Sequence, residues 1–361
     1  MAVIIATQKE IEEYYTSEKL NQSSLKNLAQ GLAYFKKKQE EQKENKSKKD
    51  YFIVGSAVDI ILTGNERDFE NQYYVSKLEK LPSEAEINII KDVFDELSDN
   101  RVMTKETLFS EQSDAILAAA NEFGWQMRWK EETRINKLID AGEEYFAELR
   151  DSIGKQIIST EMNDKIQAIV NSLRASKRTA KYFNRKGFNG SDINIYYQKP
   201  IYFTHRDIEC KALLDIVIII KNPKGEIIEV QIIDLKTTSD AVLSFSKNVR
   251  KFRYDIQAAW YAMAVALSLE IPAEKVIAPF KFIVESTMSI GNPLVFEDNG
   301  SLIYQGRFGK KARKIESEEG DIFFAGVKGF EELIDDYKFY EETGWKEDIR
   351  SYGKDVIDLM V

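Results

Sequence analysis

The sequence predicts an α/β protein with a strand-rich centre wrapped by helical arms. From Ile193 to Lys236 the chain is β-branched and aromatic, with strands expected near 193–203, 208–220 and 227–236. On either side apolar residues recur at helical spacing, as at Ile116, Ala119, Ala120 and Phe123. Two of the expected strands carry charges within apolar runs, Leu213-Leu214-Asp215-Ile216-Val217 and Ile232-Ile233-Asp234-Leu235-Lys236. A buried unpaired charge is costly, so such residues have a partner, a metal or a chemical task.

The elements follow in order. Ser23-Ser24 is suited to cap a helix running to about Lys38, and Lys36 to Lys49 is a charged, glycine-free run, either a helix extension or a linker. Small residues in Gly55-Ser56-Ala57-Val58-Asp59 open a compact apolar helix ending near Leu62. Pro82 and the capping-box pattern Ser83-Glu84-Ala85-Glu86 start a helix through Leu97. Residues 104–186 read as several helices. A helix from about Tyr254 to Leu269 ends before Pro272, a strand near Phe280–Glu285 follows, and acidic helices are expected around Phe330–Tyr340 and Asp348–Leu359. This divides the chain into an N-terminal helical arm (1–50), a core (51–300) with a helical insertion at 66–190, and a C-terminal helical extension (301–361).

The central hairpin makes a specific geometric expectation. Pro223-Lys224-Gly225-Glu226 places glycine at the third position of a tight turn. If the reversal pivots between Lys224 and Gly225, Asp215 lies opposite Asp234, and Lys236 shares the face of Asp234 because strand side chains alternate. Downstream, Tyr254, Gln257 and Tyr261 share one helix face by their spacing. Trp260, Trp125 and Trp129 read as core anchors, and His205 and Cys210 as ordinary strand residues.

Composition bounds the chemistry. With 361 residues, 43% hydrophobic and 31% charged, the chain has the make-up of a soluble globular protein. No apolar run approaches the roughly 20 residues of a membrane span, and Met1-Ala2-Val3-Ile4-Ile5 lacks the basic front of a signal peptide. One cysteine suits a reducing cytoplasm, and one histidine argues against multi-histidine metal sites and histidine-based triads. Metal chemistry here would run on carboxylate oxygens, which favour Mg²⁺ or Mn²⁺. A net charge of −9 disfavours a protein that coats nucleic acid, but two local basic tracks exist. One is Arg174, Lys177, Arg178, Lys181, Arg185 and Lys186; the other is Lys247, Arg250, Lys251 and Arg253. Each is either a nucleic-acid track or a solvated face.

An Asp on one strand and Asp-x-Lys on the next resembles the metal and lysine arrangement of PD-(D/E)XK nucleases. Asp336-Tyr337-Lys338 matches the short motif too, but it falls in an acidic helical stretch without a facing strand and reads as surface. Gln257-Ala258-Ala259-Trp260-Tyr261 resembles the Gln-x-x-x-Tyr motif of the RecB-like branch. Gly55-Ser56-Ala57-Val58-Asp59 is similar to its Gly-x-x-x-His motif, with Asp59 where histidine is usual. The order of Ser23-Ser24-Leu25, Gly154-Lys155-Gln156-Ile157-Ile158-Ser159 and Cys210-Lys211-Ala212-Leu213-Leu214-Asp215 is similar to RecE-type exonucleases (exodeoxyribonuclease VIII). The likeness spans most of residues 20–290 and is most specific at 210–261. Gln198 departs from it, since related enzymes often carry Glu on that strand.

The resemblance implies a PD-(D/E)XK core, a mixed central sheet flanked by helices, with large helical insertions and a helical C-terminus. It implies a Mg²⁺- or Mn²⁺-dependent exonuclease working from the ends of double-stranded DNA. The setting would be phage-type recombination in a bacterial host cytoplasm, beside a single-strand annealing protein; a homo-oligomer is compatible with this. Asp215, Asp234 and Lys236 would be catalytic. Asp59, Asp215, Asp234 and the Leu235 carbonyl would hold metal, with Gln198 beside them. Gln257, Tyr261, Arg174, Lys177, Arg178, Lys181, Arg250, Lys251 and Arg253 would contact DNA. A nicking or structure-specific endonuclease on the same core, and a catalytically silent DNA-binding scaffold, are the alternatives.

Overall fold

The computed structural model describes residues 2–43, 50–65, 67–152, 154–183, 193–272, 278–311, 313–315, 322–324 and 326–345. The first half of the chain forms β1 (Ala2–Ile5), α1 (Gln8–Thr16), α2 (Gln22–Leu28), α3 (Leu32–Lys43), α4 (Asp50–Thr63), α5 (Asp68–Gln72), β2 (Tyr73–Val75), α6 (Glu84–Asp99), α7 (Ser113–Glu122), α8 (Glu131–Ser152), β3 (Gln156–Ile158), α9 (Thr160–Ala175) and α10 (Ala180–Phe183). The second half forms β4 (Ile193–His205), β5 (Ile208–Lys221), β6 (Ile227–Thr238), α11 (Phe245–Lys251), α12 (Tyr254–Leu269), β7 (Lys281–Ser286), β8 (Leu294–Glu297), α13 (Ser301–Phe308), β9 (Arg313–Ile315), β10 (Ile322–Phe324) and α14 (Phe330–Thr343). The expected helix at 348–359 lies outside the described residues, as do Arg185 and Lys186 of the first basic track.

The chain divides into two compact units, residues 1–65 with 168–361, and residues 66–167. The second unit falls within the span expected as a helical insertion. Its helices α6, α7 and α8 close on Ile89, Ile90, Val93, Ile116, Ala120, Leu138 and Phe146. Ser83 and Glu86 form the expected capping box at the start of α6. Phe123 departs from its helical spacing because α7 ends at Glu122, which leaves the ring exposed. Trp125 packs against this core, whereas Trp129 is exposed, since the turn after α7 carries it away from the helix.

The first unit holds a six-stranded mixed sheet in the order β1-β4-β5-β6-β7-β8, flanked by helices, so the expected α/β class is observed. Strands β4, β5 and β6 run antiparallel to one another in turn, while β1 pairs parallel with β4, and β6 pairs parallel with β7 after the crossover through α12. Helix α12 is apolar on all sides and buried from Asp255 to Val265, as such a helix must be. It packs on β4 and β5 and against α2, α11 and α13. Trp260 is a core residue, as expected, with its Nε1–H donated to the Lys211 carbonyl at 3.0 Å.

Several local expectations need correction. The helix expected from Ser23 is two helices, capped by the Asn21 side chain, which accepts from the Ser24 amide at 2.9 Å. Gly31, at φ +106°, breaks it, a backbone geometry that glycine adopts without a Cβ clash. Gly55 lies inside α4 instead of opening it; a Cβ there would sit 3.2 Å from Thr237 Oγ1, so glycine lets α4 approach β6. The tight turn is Asn222–Gly225, closed by the Gly225 amide on the Asn222 carbonyl at 2.9 Å, with Gly225 at φ +82° in the fourth position. The expected register survives this shift because a bulge near Ile220 and Lys221 takes up one residue. Ile216 therefore lies opposite Ile233 and Val217 opposite Ile232. Asp336 is in a helix, as expected, but is buried and paired with Lys328 at 2.5 Å. Among the described residues no helix is long and apolar enough to cross a membrane.

Candidate active site

The pairing of β5 with β6 stops at Ile216 and Ile233. Beyond that level β5 stays with β4 to its start at Ile208, while β6 stays with β7 to its end at Thr238. The sheet forks there, and Asp215 and Asp234 are the first residues past the last shared pair. Leu235, still paired with β7 but no longer with β5, donates its amide to Asp215 Oδ2 at 2.8 Å. A strand residue directs its N–H and C=O to the same edge, so the Leu235 carbonyl also faces the fork.

A backbone irregularity sets this up. Gln198 of β4 has φ +50°, and the residues flanking it pair Tyr197 with Ile216 and Lys199 with Leu214. Cys210, Ala212 and Leu214 share one core with Val217 and Ile219, whereas unbroken alternation would put Leu214 and Val217 on opposite faces. Tyr196 and Ile201 of β4 reach that same core. The faces therefore switch in both strands at the level of Gln198 and Asp215. The left-handed backbone of a non-glycine residue costs about 1–2 kcal/mol, and strain of this kind concentrates where a site is built.

Each side chain at the fork is fixed by a neighbour. Asp234 is 1% exposed; its Oδ1 accepts from Gln257 Nε2 at 2.6 Å, and its Oδ2 lies 2.5 Å from Lys236 Nζ in an ion pair. Gln257 Nε2 also reaches the Tyr261 hydroxyl at 3.3 Å. Lys236 Nζ stands 5.0 Å over the Tyr254 ring. Across the fork, Asp59 of α4 accepts from Gln198 Nε2 at 2.7 Å and from Thr63 Oγ1 at 2.9 Å.

The electrostatics bind these groups into one unit. Burial pushes the Asp215 carboxyl well above the usual range, and the charges of Asp59 and Asp234 push the same way against Lys236 and the Leu235 amide. Burial likewise raises Asp59 to about 6, with Asp234 adding to it and Thr63, Lys236 and Gln198 opposing. Burial alone would lower Lys236, but Asp234, Asp215 and Tyr254 outweigh it and hold the ammonium above the ordinary lysine range. Three carboxylates and one lysine are thus electrostatically coupled at the fork, with Asp234 buried and the other three partly buried. Among the described residues no three His, Cys, Asp or Glu side chains already stand as a metal cage. A cation entering the fork would meet hard oxygen donors only, the donor set suited to Mg²⁺ or Mn²⁺.

The remaining sequence candidates fall elsewhere. Gln257 and Tyr261, expected as DNA or active-site contacts, are 4% and 6% exposed and lie behind Asp234: Gln257 holds the carboxylate and Tyr261 reaches Gln257, so neither faces solvent. Arg253, expected at DNA, has its charge matched by Asp255 at 3.0 Å and its Nη2–H donated to the Lys328 carbonyl at 2.7 Å. Arg250 and Lys251 are exposed on α11, next to the exposed ring of Phe252. Lys177 and Arg178 are exposed on the turn after α9, and Lys181 on α10, while Arg174 donates to the Ile61 carbonyl at 3.1 Å. Two residues escaped the sequence reading. Thr63 follows Asp59 by four positions on one helix, a spacing that could have revealed it. Lys26 carries no local signal, because α2 meets α12 only in the folded chain.

No family model matches the chain, and no curated protein matches it. Among solved structures it is similar to that of a presumed exonuclease of Eubacterium rectale, at 11% sequence identity and a TM-score of 0.44, over 99% of this chain and 96% of that one.

Proposed function

We propose that the protein is a Mg²⁺- or Mn²⁺-dependent deoxyribonuclease that hydrolyses phosphodiester bonds from the ends of double-stranded DNA. The observation that carries this reading is the fork, where the buried Asp234 is coupled to the partly buried Asp215, Asp59 and Lys236. Asp59, Asp215, Asp234 and the Leu235 carbonyl would hold the cation, which supplies charge at the phosphate oxygens and acidifies water. Lys236 orients the attacking water and offsets negative charge building on phosphorus. Gln257 fixes Asp234, and Gln198 with Thr63 fixes Asp59. The exposed cations of α11 and of the turn after α9 would follow the DNA backbone. A role in phage-type recombination beside a single-strand annealing protein follows from the sequence resemblance.

One assay tests the activity: a linear plasmid against the same plasmid covalently closed, each with Mg²⁺ and with EDTA. Loss of linear DNA alone supports the exonuclease. Equal loss of both forms makes it an endonuclease with the same residues in their roles. Loss of neither leaves a DNA-binding scaffold.

Asp59→Ala is expected to require more Mn²⁺ for half-maximal activity than the wild type, and Asp59→His to require less than the alanine variant. The metal requirement of the wild type should also rise as pH falls through about 6. Below that value Asp59 holds a proton that the cation must displace. A Mn²⁺ titration in which Asp59→Ala matches the wild type would leave the residue a purely structural part of α4.

A further inference from the structure

We propose that Lys26 is a second phosphate-binding lysine of this site, placed to take a non-bridging oxygen of the DNA strand held beside Asp234 and Lys236. The inference rests on the nuclease reading above and adds a residue to it. Lys26 belongs to α2, whose Leu25 and Leu28 are buried and whose start is held by the Asn21 cap, so the root of the side chain is fixed. Its Nζ stands 5.5 Å over the Tyr254 ring, the same ring that carries Lys236 Nζ at 5.0 Å. Two ammonium groups thus stand over one aromatic ring, whose electron-rich π-system eases the approach of each.

The two lysines differ in one respect. Lys236 is matched by Asp234 at 2.5 Å. Lys26 has no ion pair and no hydrogen bond with any described residue, although it is half-buried. The acids that could serve it are occupied: Asp234 by Gln257 and Lys236, Asp255 by Arg253. Burial, with Lys236 adding to it, pushes the Lys26 ammonium down to about 8, against the pull of Asp234 and Asp255. A desolvated cation next to another cation is destabilised until an anion arrives. In a nuclease site the incoming anion is the phosphodiester backbone.

The test uses the full chain in EDTA, so that binding is read without cleavage, with a fluorescent blunt duplex titrated at increasing NaCl. Lys26→Gln is expected to weaken binding several-fold and to reduce the slope of log K against log salt by about 0.9, the value of one lost phosphate contact on duplex DNA. Lys26→Arg is expected to keep the slope. Acetylation of the wild-type protein by trace acetic anhydride, read by peptide mass spectrometry, should modify Lys26 and be suppressed by the duplex. An unchanged slope in Lys26→Gln, even with a lowered melting temperature, overturns the proposal. So does equal acetylation with and without DNA, which decides the matter if the variant does not fold. Absence of Mg²⁺-dependent cleavage by the wild type would sink the nuclease reading separately.

Discussion

Asp234→Ala and Lys236→Ala are each expected to abolish Mg²⁺-dependent cleavage while leaving DNA binding largely intact. Both groups act where charge develops, so their loss falls on the transition state more than on ground-state binding. Removing one such electrostatic contact costs about 10²–10³ in rate, and here two functions depend on each residue. The variants should differ in stability. Asp234→Ala removes a buried charge and leaves Lys236, which is 20% exposed in its side chain, with a path to water. Lys236→Ala leaves Asp234 beside Asp215 and Asp59 with no cation in contact, and an uncompensated buried charge costs about 3–5 kcal/mol.

The sign of the pH dependence follows from the same groups. Asp59 and Asp215 are raised in the folded state, so the penalty is absent below the unfolded carboxylate value of about 3.9 and grows as pH rises through the folded values, about 6 for Asp59. Losing Lys236 raises them further. Lys236→Ala should therefore melt closest to the wild type near pH 5 and furthest from it near pH 8. Near-normal cleavage by either variant would reject the site, and a pH-independent melting difference would reject the coupling of the carboxylates to Lys236.

Gly306→Ala is expected to be among the most destabilising single-methyl additions in the first unit. Gly306 is buried in α13, and a Cβ there would lie 1.9 Å from the Asp255 carbonyl oxygen, 2.3 Å from its carbon and 2.9 Å from Ala259 Cβ. The first two obstacles are backbone of α12, so no side-chain rotation relieves them. Overpacking of this kind costs about 1–3 kcal/mol and occasionally more. The displaced segment is the first turn of α12, two residues before Gln257, so cleavage should fall along with the melting temperature. Gly225→Ala is the control, since its Cβ would meet open space and only the φ of +82° is strained. Thermal melts in which the two variants lose equally would contradict the close approach of α13 to α12.

Much of the centre was legible because strand signals there are local. The β-branched run, the hairpin around Gly225 and the apolar α12 ahead of Pro272 each lie within one short window. The register expected from the turn position holds as far as Ile216 opposite Ile233, although the turn sits one residue earlier, because the bulge compensates; the next step, Asp215 opposite Asp234, is not a ladder pair because the strands part there. Strand β1 was not legible. It is four residues long and pairs in parallel with β4, almost two hundred positions away by the register of Ala2 with Asn194. A short edge strand has no periodicity of its own to detect.

The sequence by itself determined the chemistry available: carboxylates and a lysine inside apolar strands, one histidine, one cysteine, and a turn that brings Asp215 and Asp234 to one level. Those are properties of residue type and of neighbours close in the chain. Only the tertiary structure decided that the sheet forks at that level and that Gln198 reverses the faces of β4 and β5. It also turned Gln257 inward onto Asp234 and set Lys26 beside Lys236 on the Tyr254 ring. The reason is physical: ladder breaks, burial and charge matching depend on which distant segments pack together, and no local window of the chain contains that information.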